Sequence, residues 1–559
     1  MFLGIDVGGT HTDAVAVNKN GQTVAAAKTT TDHDDLFASI RTAMVQVLSE
    51  VDEDLVERIN LSTTLSTNVI VEGKAEDVGV IVSAGPGIDP GSYRVGCFHR
   101  VAGAMDHRGH EIAALDMKTM ESAMADCRRH GIKVFAVVGK FSTRNPAHEL
   151  LMRKALEERT GMESMPDFIS LGHRLSGTLN FPRRIFTSYY NAATWRTYNT
   201  FATAMERSLG KRNGPLRHKA NILKADAGTM PFPISRDLPV ETISSGPAAS
   251  IMGVMAMTGQ RRDCLILDIG GTTTDISALL GGSPVLEENG IMLNHLPTLV
   301  RGLKTISIGV GGDSAIRVAD SGEVLAGPQR LGPAIALGGE TPTITDAMNL
   351  LGLCALGNVE ASRRGLAALA GKYGLEAAAL AEEALAKAVT AIQTASDKLL
   401  LEINEKPVYT IMEMLTSQKA KIKEIVLIGG PAKAFSKPLA EAYGLPVLVP
   451  ENHAVGSAIG AAMARATMSA ELFADTAKGV MIIPNLGVSR NIGQDYSLEQ
   501  AESDIKQFLL DYMLEIGVEY DLNQLIEITE KDSFAMIEGA NRNGRSIRIK
   551  CQIKPGVSK

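Results

Sequence analysis

The chain has 559 residues, is 45% apolar and 21% charged, and carries a formal net charge of −7, the profile of a soluble globular protein of several domains. Mild acidity argues against nucleic acid as the main partner, and no run of about 18 uninterrupted apolar residues argues for a membrane span. Aromatics are only 4% while glycines number 54, which predicts an aliphatic core and many tight backbone turns.

In chain order, the first predicted element is an apolar strand at 2–7. A Gly-Gly turn and a second strand at 14–17 follow, together making a hairpin. Strands are expected at Val78–Val82 and Val134–Val138, and helices at Ala147–Thr160 and Tyr190–Leu209. A second hairpin is predicted from the strands Cys264–Ile269 and Ile276–Leu280. Leu366–Lys406 has helical spacing with a break at Gly371 and Gly374, and Lys423–Ile428 reads as a strand ending at Gly429-Gly430-Pro431. Ala454–Ala466 is a helix of small residues suited to close packing. Asp504–Gly517 is an amphipathic helix, and Ser533–Ile553 alternates like a strand pair around Asn541–Gly544. This alternation argues for α/β layers with a small α+β appendage. Domains are expected at 1–240, 241–470 and 471–559, the last dimerising the chain or docking another protein.

The two hairpins are near copies. Asp6, Gly8, Gly9, Thr10, Thr12 and Asp13 recur as Asp268, Gly270, Gly271, Thr272, Thr274 and Asp275. Glycines let backbone N–H groups approach a phosphate, hydroxyls such as those of Thr10, Thr12, Thr272 and Thr273 add donors, and a strand-end carboxylate suits Mg²⁺ with its waters. A single copy is equally well a plain turn; two copies at matched spacing point to a triphosphate clamped between two lobes. Neither a GxxxxGK[ST] loop nor GxGxxG is present, so the phosphate scaffold is a different one.

The hairpins resemble the phosphate motifs of the actin, sugar-kinase and heat-shock-chaperone ATPase superfold, and the turn Gly429-Gly430-Pro431 resembles its adenosine motif. The chain is further similar to the hydantoinase A/5-oxoprolinase family, which includes subunits of acetone-type carboxylases. Residues 4–13, 63–68, 109–116, 145–149, 244–249, 307–314 and 342–346 carry the likeness, which runs over roughly 1–470. His11 stands where the family usually has Phe, the usual triple-Gly loop reads Gly311-Gly312-Asp313, and 334–339 lacks the usual Cys-Tyr-Gly stretch.

The resemblance implies a duplicated, two-lobed actin-like ATPase (ribonuclease H-like) fold and an ATP-dependent hydrolase subunit. Such a subunit phosphorylates the amide or carbonyl oxygen of a hydantoin or 5-oxoproline-like ring, often beside a hydantoinase B-type partner. On that reading Asp6, Asp268 and Asp275 are catalytic candidates, and Asp6, Asp268 and Asp313 are Mg²⁺ candidates. ATP contacts fall to both hairpin turns, to Gly311 and Gly312, and to Gly429 and Gly430. Asp13 and Asp275 read equally well as structural caps. Alternatives are an energising ATPase that drives a partner, or a small-molecule kinase.

Convergence of His148, Arg183 and Asp313 beside the hairpins would favour an enzyme acting in the cleft. His148 reads more readily as part of the helix start at Asn145-Pro146, and the Arg183–Arg184 pair equally as surface charge. Trp195, Tyr189, Tyr190 and Tyr198 read as core or interface, and Met412 and Met414 as core. His99, His107 and His110 form a loose set with Cys97, whose spacing appears on no shared face. The five cysteines, Cys97, Cys127, Cys264, Cys354 and Cys551, include no CxxC pair. Sparse cysteines and an N-terminus without a signal-peptide pattern lead to the expectation of a cytoplasmic protein, with homo-oligomers allowed.

Overall fold

The structure is a computed structural model that describes all residues other than 33–34, 159–164, 211–219, 260–262, 288, 406–419, 519–521, 539–540 and 559. Met412 and Met414 therefore lie outside the described residues.

Both predicted hairpins form, and each seeds a sheet. Phe2–Val7 pairs antiparallel with His11–Val17 and parallel with Arg58–Thr63. Thr23–Thr30 extends one side, and Ala220–Leu223 with Thr229–Pro231 extends the other, giving six strands. The second sheet repeats the plan: Cys264–Ile269 pairs antiparallel with Thr274–Leu280 and parallel with Glu424–Ile428, with Val447–Leu448 beyond. Two sheets with the same hairpin-plus-parallel order make this an α/β, duplicated two-lobed actin-like architecture.

The closing helix, Gly456–Met463, joins the lobes, and its small residues explain how. A Cβ on Gly4 of the first sheet would lie 2.0 Å from the Ala458 carbonyl. A Cβ on Gly460 would lie 1.9 Å from the Ala249 carbonyl, in helix Ser245–Thr258. Backbone therefore meets backbone on both sides of this helix, which larger side chains would prevent.

Between the first lobe's strands is inserted a wholly parallel sheet, ordered Phe168–Leu171, Val134–Gly139, Val78–Ser83, Cys97–Val101. The two inner strands are fully buried, as expected of a parallel sheet covered on both faces. The long helix that follows starts at Phe181, well before the expected Tyr190. The start signal is local: Asn180 Oδ1 accepts from the Arg183 N–H, and Pro182 sits in the first turn. Its aromatics are packed as expected. Trp195 stacks on Phe168 with centroids 5.1 Å apart, and the buried Tyr198 donates to Ser235. The predicted helix from Leu366 is two, Val359–Lys372 and Ala377–Asn404, broken at Gly374 with φ +66°.

The C-terminal sheet is antiparallel, ordered Val488–Asn491, Val480–Ile483, Ser469–Asp475, Asn541–Ile553, Ile526–Glu538, and is packed by helix Leu498–Glu515. That helix starts earlier than expected because Ser497 and Gln500 form a reciprocal capping box. The sheet is tied to the inserted region by buried Asp475, which pairs with Arg108 at 2.9 Å, and by Glu471, which accepts from Thr178 at 3.1 Å. Among the described residues, no helix is long and apolar enough to cross a membrane.

Candidate nucleotide site

Strand register alone sets Asp6 opposite Asp13 in the first hairpin and Asp268 opposite Asp275 in the second. The turns close in the same way. The Gly8 N–H donates to the His11 carbonyl at 3.0 Å, and the Gly270 N–H to the Thr273 carbonyl at 2.9 Å. The tips, Gly9–Thr10 and Gly271–Thr273, keep accessible surface. Both hairpins meet the closing helix, Gly4 packing against the Ala458 carbonyl and Asp268 accepting from Ser457, which brings the two mouths to one side of the cleft.

The charge there is poorly balanced. Burial, reinforced by Asp13 and Asp268, pushes the Asp6 carboxyl up to about 7 against the pull of the Ser62 hydroxyl. Burial and the neighbouring Asp268 push Asp275 up to about 6, opposed by Ser307. Burial also raises Asp268, although Ser250 and Ser457, at 3.3 Å, donate to it. Lys28 is the cation that answers this group, pairing with Asp13 at 2.7 Å. Asp13 is thus a paired carboxylate bracing its hairpin, while Asp275 lies opposite Ser307 of a neighbouring strand. Crowded carboxylates, poor in cations and beside glycine turns, suit a divalent cation chemically.

The adenosine-type turn is fitted to the second hairpin. Gly429 has φ +94°, and a Cβ there would lie 2.2 Å from the Ile269 carbonyl and 2.8 Å from Asp268 Oδ1. His453 fixes the turn from behind: its Nδ1 lies 2.8 Å from the Gly429 carbonyl, and its own carbonyl accepts the Gly429 N–H. Gly430 is exposed, with open space where a Cβ would stand.

Several expected ligands take other roles. Thr12 is fully buried and its hydroxyl is hydrogen-bonded to Thr31 at 3.0 Å, so it braces the turn and does not face the cleft. Gly311 and Gly312 are buried beneath the second turn, with their N–H groups committed to Ser314 Oγ at 2.8 Å and the Gly270 carbonyl at 3.0 Å. A Cβ on Gly311 would lie 2.6 Å from two carbonyls of that turn, so this loop supports the phosphate turn and is no second cradle. Asp313 packs over Gly271 and pairs with Arg330 at 3.2 Å.

His148, Arg183 and Asp313 do not converge. His148 is 2% exposed and meets Glu111 at 2.9 Å within the inserted region. Arg183 Nη1 donates to the carbonyls of Asn289, Gly290 and Thr298, anchoring a loop of the second lobe. Asn145 does cap the helix Ala147–Glu158, in whose first turn His148 lies, accepting from the Ala147 N–H at 3.0 Å. Arg184, read as surface charge or substrate fork, is fully buried near Glu149 and Glu471.

Lys28, Ser62, Ser250, Ser307, His453 and Ser457 were not singled out from sequence. Lys28, Ser62, Ser250 and Ser307 reach the site from four separate segments, and His453 and Ser457 from a fifth at the start of the closing helix. A cavity of about 990 Å³ lies elsewhere, between the inserted region, the first lobe and the C-terminal sheet, with Arg144, His173, Lys224 and Tyr512 in its walls. It shares no wall with either hairpin.

Against solved structures, the chain is similar to nucleotide-free acetone carboxylase, with TM-score 0.72 at 16% identity over 100% of this chain and 87% of that one. It is similar also to ATP-dependent caprolactamase from Pseudomonas jessenii, with TM-score 0.70 at 19% identity over 98% and 87%. These likenesses concern the fold. In sequence it is 26% identical to the caprolactamase subunit alpha of P. jessenii, over 64% of this chain and 55% of that protein. It is 25% identical to the acetophenone carboxylase gamma subunit of Aromatoleum aromaticum, over 63% and 53%. The chain thus spans about half the length of these curated relatives. The hydantoinase/oxoprolinase profile matches residues 184–470, and the profile of that family's N-terminal region matches 2–90 and 93–160. Because these matches take in both hairpins and the helix that closes the lobes, the chain belongs to the hydantoinase/oxoprolinase family.

Proposed function

We propose that this chain is the ATP-using subunit of an ATP-dependent hydrolase that opens a cyclic amide, a hydantoin or a 5-oxoproline-like ring, with a B-type subunit as partner. The observation that carries the reading is the pair of matched hairpins whose carboxylates crowd one mouth, with Asp6 pushed up to about 7. Such a site gains most from a bound cation and a phosphate chain lying between glycine turns.

ATP, when bound, supplies the phosphoryl group, and Mg²⁺ supplies the charge that offsets its oxygens. The chain's own residues position and neutralise. The tips Gly9–Thr10 and Gly271–Thr273 offer N–H and hydroxyl donors to phosphate oxygens. Asp6 and Asp268 offer oxygens to Mg²⁺ and its waters, with Ser250 and Ser457 orienting Asp268. Asp275, pushed up to about 6, accepts a hydrogen bond from the attacking group and orients it. Gly429 and Gly430 leave room beside the base. Asp313, paired with Arg330, holds the supporting loop in place.

One observation favours a second reading. His148 and Arg183 are engaged away from the hairpins, so they build no amide pocket beside the phosphate turns. On that reading the chain is an energising ATPase whose partner carries the substrate, or a kinase that releases its product. The test is ADP release by the purified protein against lactams, hydantoins and ketones, with and without the B-type subunit. Release that depends on a lactam or hydantoin supports the hydrolase. Release that depends on a ketone moves the chain to the carboxylase branch. Release independent of every substrate overturns the hydrolase reading in favour of the energising one.

A further inference from the structure

Strand Cys97–Val101 forms an edge of the inserted parallel sheet, and helix Met117–Arg129 packs beside it. Cys97 and His99 are two residues apart and share one face of that strand. His110 leaves the set, turning to Asp106 at 3.0 Å. The partners come instead from the last turn of the helix. Cys97 Sγ lies 3.3 Å from His99 Nε2 and 3.8 Å from Cys127 Sγ. Asp126 Oδ2 lies 3.2 Å from His99 Nε2 and 3.8 Å from Cys97 Sγ.

We propose that Cys97, His99 and Cys127 form a zinc site, with Asp126 beside it, that clamps the sheet edge to the helix end.

Zinc bonds of about 2.3 Å to sulfur and about 2.05 Å to nitrogen, at tetrahedral angles, set two sulfurs about 3.8 Å apart and sulfur and nitrogen about 3.5 Å apart. The observed 3.8 Å and 3.3 Å already match that spacing. Two thiols and an imidazole form a donor set that favours zinc over Mg²⁺ or Ca²⁺. Cys127 is buried, while Cys97, His99 and Asp126 remain partly open to solvent, which leaves an entry path. The C-terminal end of a helix also favours positive charge. Outer contacts hold the carboxylate: Arg129 binds Asp126 Oδ1 at 2.5 Å, and His130 Nδ1 lies 3.8 Å from Asp126 Oδ2. Burial raises both thiols, so they stay protonated without metal, and binding releases the two thiol protons to solvent.

The test uses the full-length protein, purified without chelator and under reducing conditions. Metal analysis is expected to find about one zinc per chain. Cys97→Ser and His99→Ala, both at partly exposed positions, are expected to lose most of it while keeping the wild-type circular dichroism. Stripped wild-type protein titrated with Co²⁺ should develop a sulfur-to-cobalt charge-transfer band, which the hairpin carboxylates lack the sulfur to produce. Zinc added back should raise the Tm of stripped wild type but not of Cys97→Ser. The cobalt titration decides the question even if the variants fold poorly. The proposal is overturned by reduced wild-type protein that gives no such band, or by equal zinc content in wild type and both variants. It is overturned equally if Cys97 and Cys127 form a disulfide in air and the reduced protein takes up no metal.

Discussion

Burial, with Asp13 directly across its hairpin and Asp268 of the second hairpin adding negative charge, disfavours the ionised form of Asp6. Its folded-state value of about 7 exceeds the ordinary 3.8, so the native chain holds that proton more tightly than the unfolded chain does. Stability is therefore lost as pH rises through this window, and the loss is complete above about 7. Asp6→Asn removes the effect. Its Tm should equal that of wild type near pH 4 and exceed it by roughly 2 °C at pH 8, which corresponds to about 1 kcal/mol. The same variant should lose ATP turnover, and Mg²⁺ should stabilise wild type more at pH 8 than at pH 5. A lower Tm for the variant at pH 8 would show that the charge crowding is not a cost. Asp268→Asn should lower ADP release at least about a hundredfold with the fold intact, because the amide keeps the side chain's size and can still hydrogen-bond to Ser250 and Ser457. Unchanged release removes Asp268 from the reaction.

At the scale of elements, the closing helix shows why its residues are small. Gly460→Ala places a methyl 1.9 Å from the Ala249 carbonyl and 2.4 Å from the Gly253 nitrogen, where backbone must move. The expected cost is at least about 2 kcal/mol in urea unfolding, together with weaker ATP binding as the lobes shift. Gly371→Ala is the control. It lies within helix Val359–Lys372, with nothing inside 4 Å of its Cβ, and should stabilise by about 0.5–1 kcal/mol. Gly429→Ala is strained by both its φ of +94° and its approach to Ile269, so nucleotide affinity should fall further than stability. The elements themselves were largely readable. Hairpins, the Gly374 break and the small-residue helix each announce themselves over a few residues. The early helix starts at Phe181 and Leu498 were missed where cap chemistry, at Asn180 and Ser497, outweighed hydrophobic periodicity.

At the scale of the molecule, the C-terminal sheet is held to the inserted region through buried charge. Asp475 is 1% exposed and pairs with Arg108 at 2.9 Å. Arg108→Ala leaves that carboxylate without its cation. The expected cost is about 1–3 kcal/mol, since the arginine itself is partly exposed, with faster proteolysis after residue 468. Proteolysis at the wild-type rate would mean that other contacts, such as Glu471 with Thr178 and Arg144 over the Phe473 ring, secure the sheet. The junction also encloses the 990 Å³ cavity, so the same variant should change how readily small probes enter it.

Sequence by itself determined the duplication, the order of the strands around each Asp-Gly-Gly-Thr turn and the family resemblance, because turn chemistry and periodicity act over a few residues. Only the tertiary structure decided which side chains meet. It gave Lys28 to Asp13, and Ser250 and Ser457 to Asp268. It buried Thr12, turned Gly311 and Gly312 into a support, and occupied Arg183 with three carbonyls. It also brought Cys127 to Cys97 across a helix and a sheet edge. Such partners lie tens to hundreds of residues apart, and their meeting depends on how whole layers pack, which no local pattern encodes.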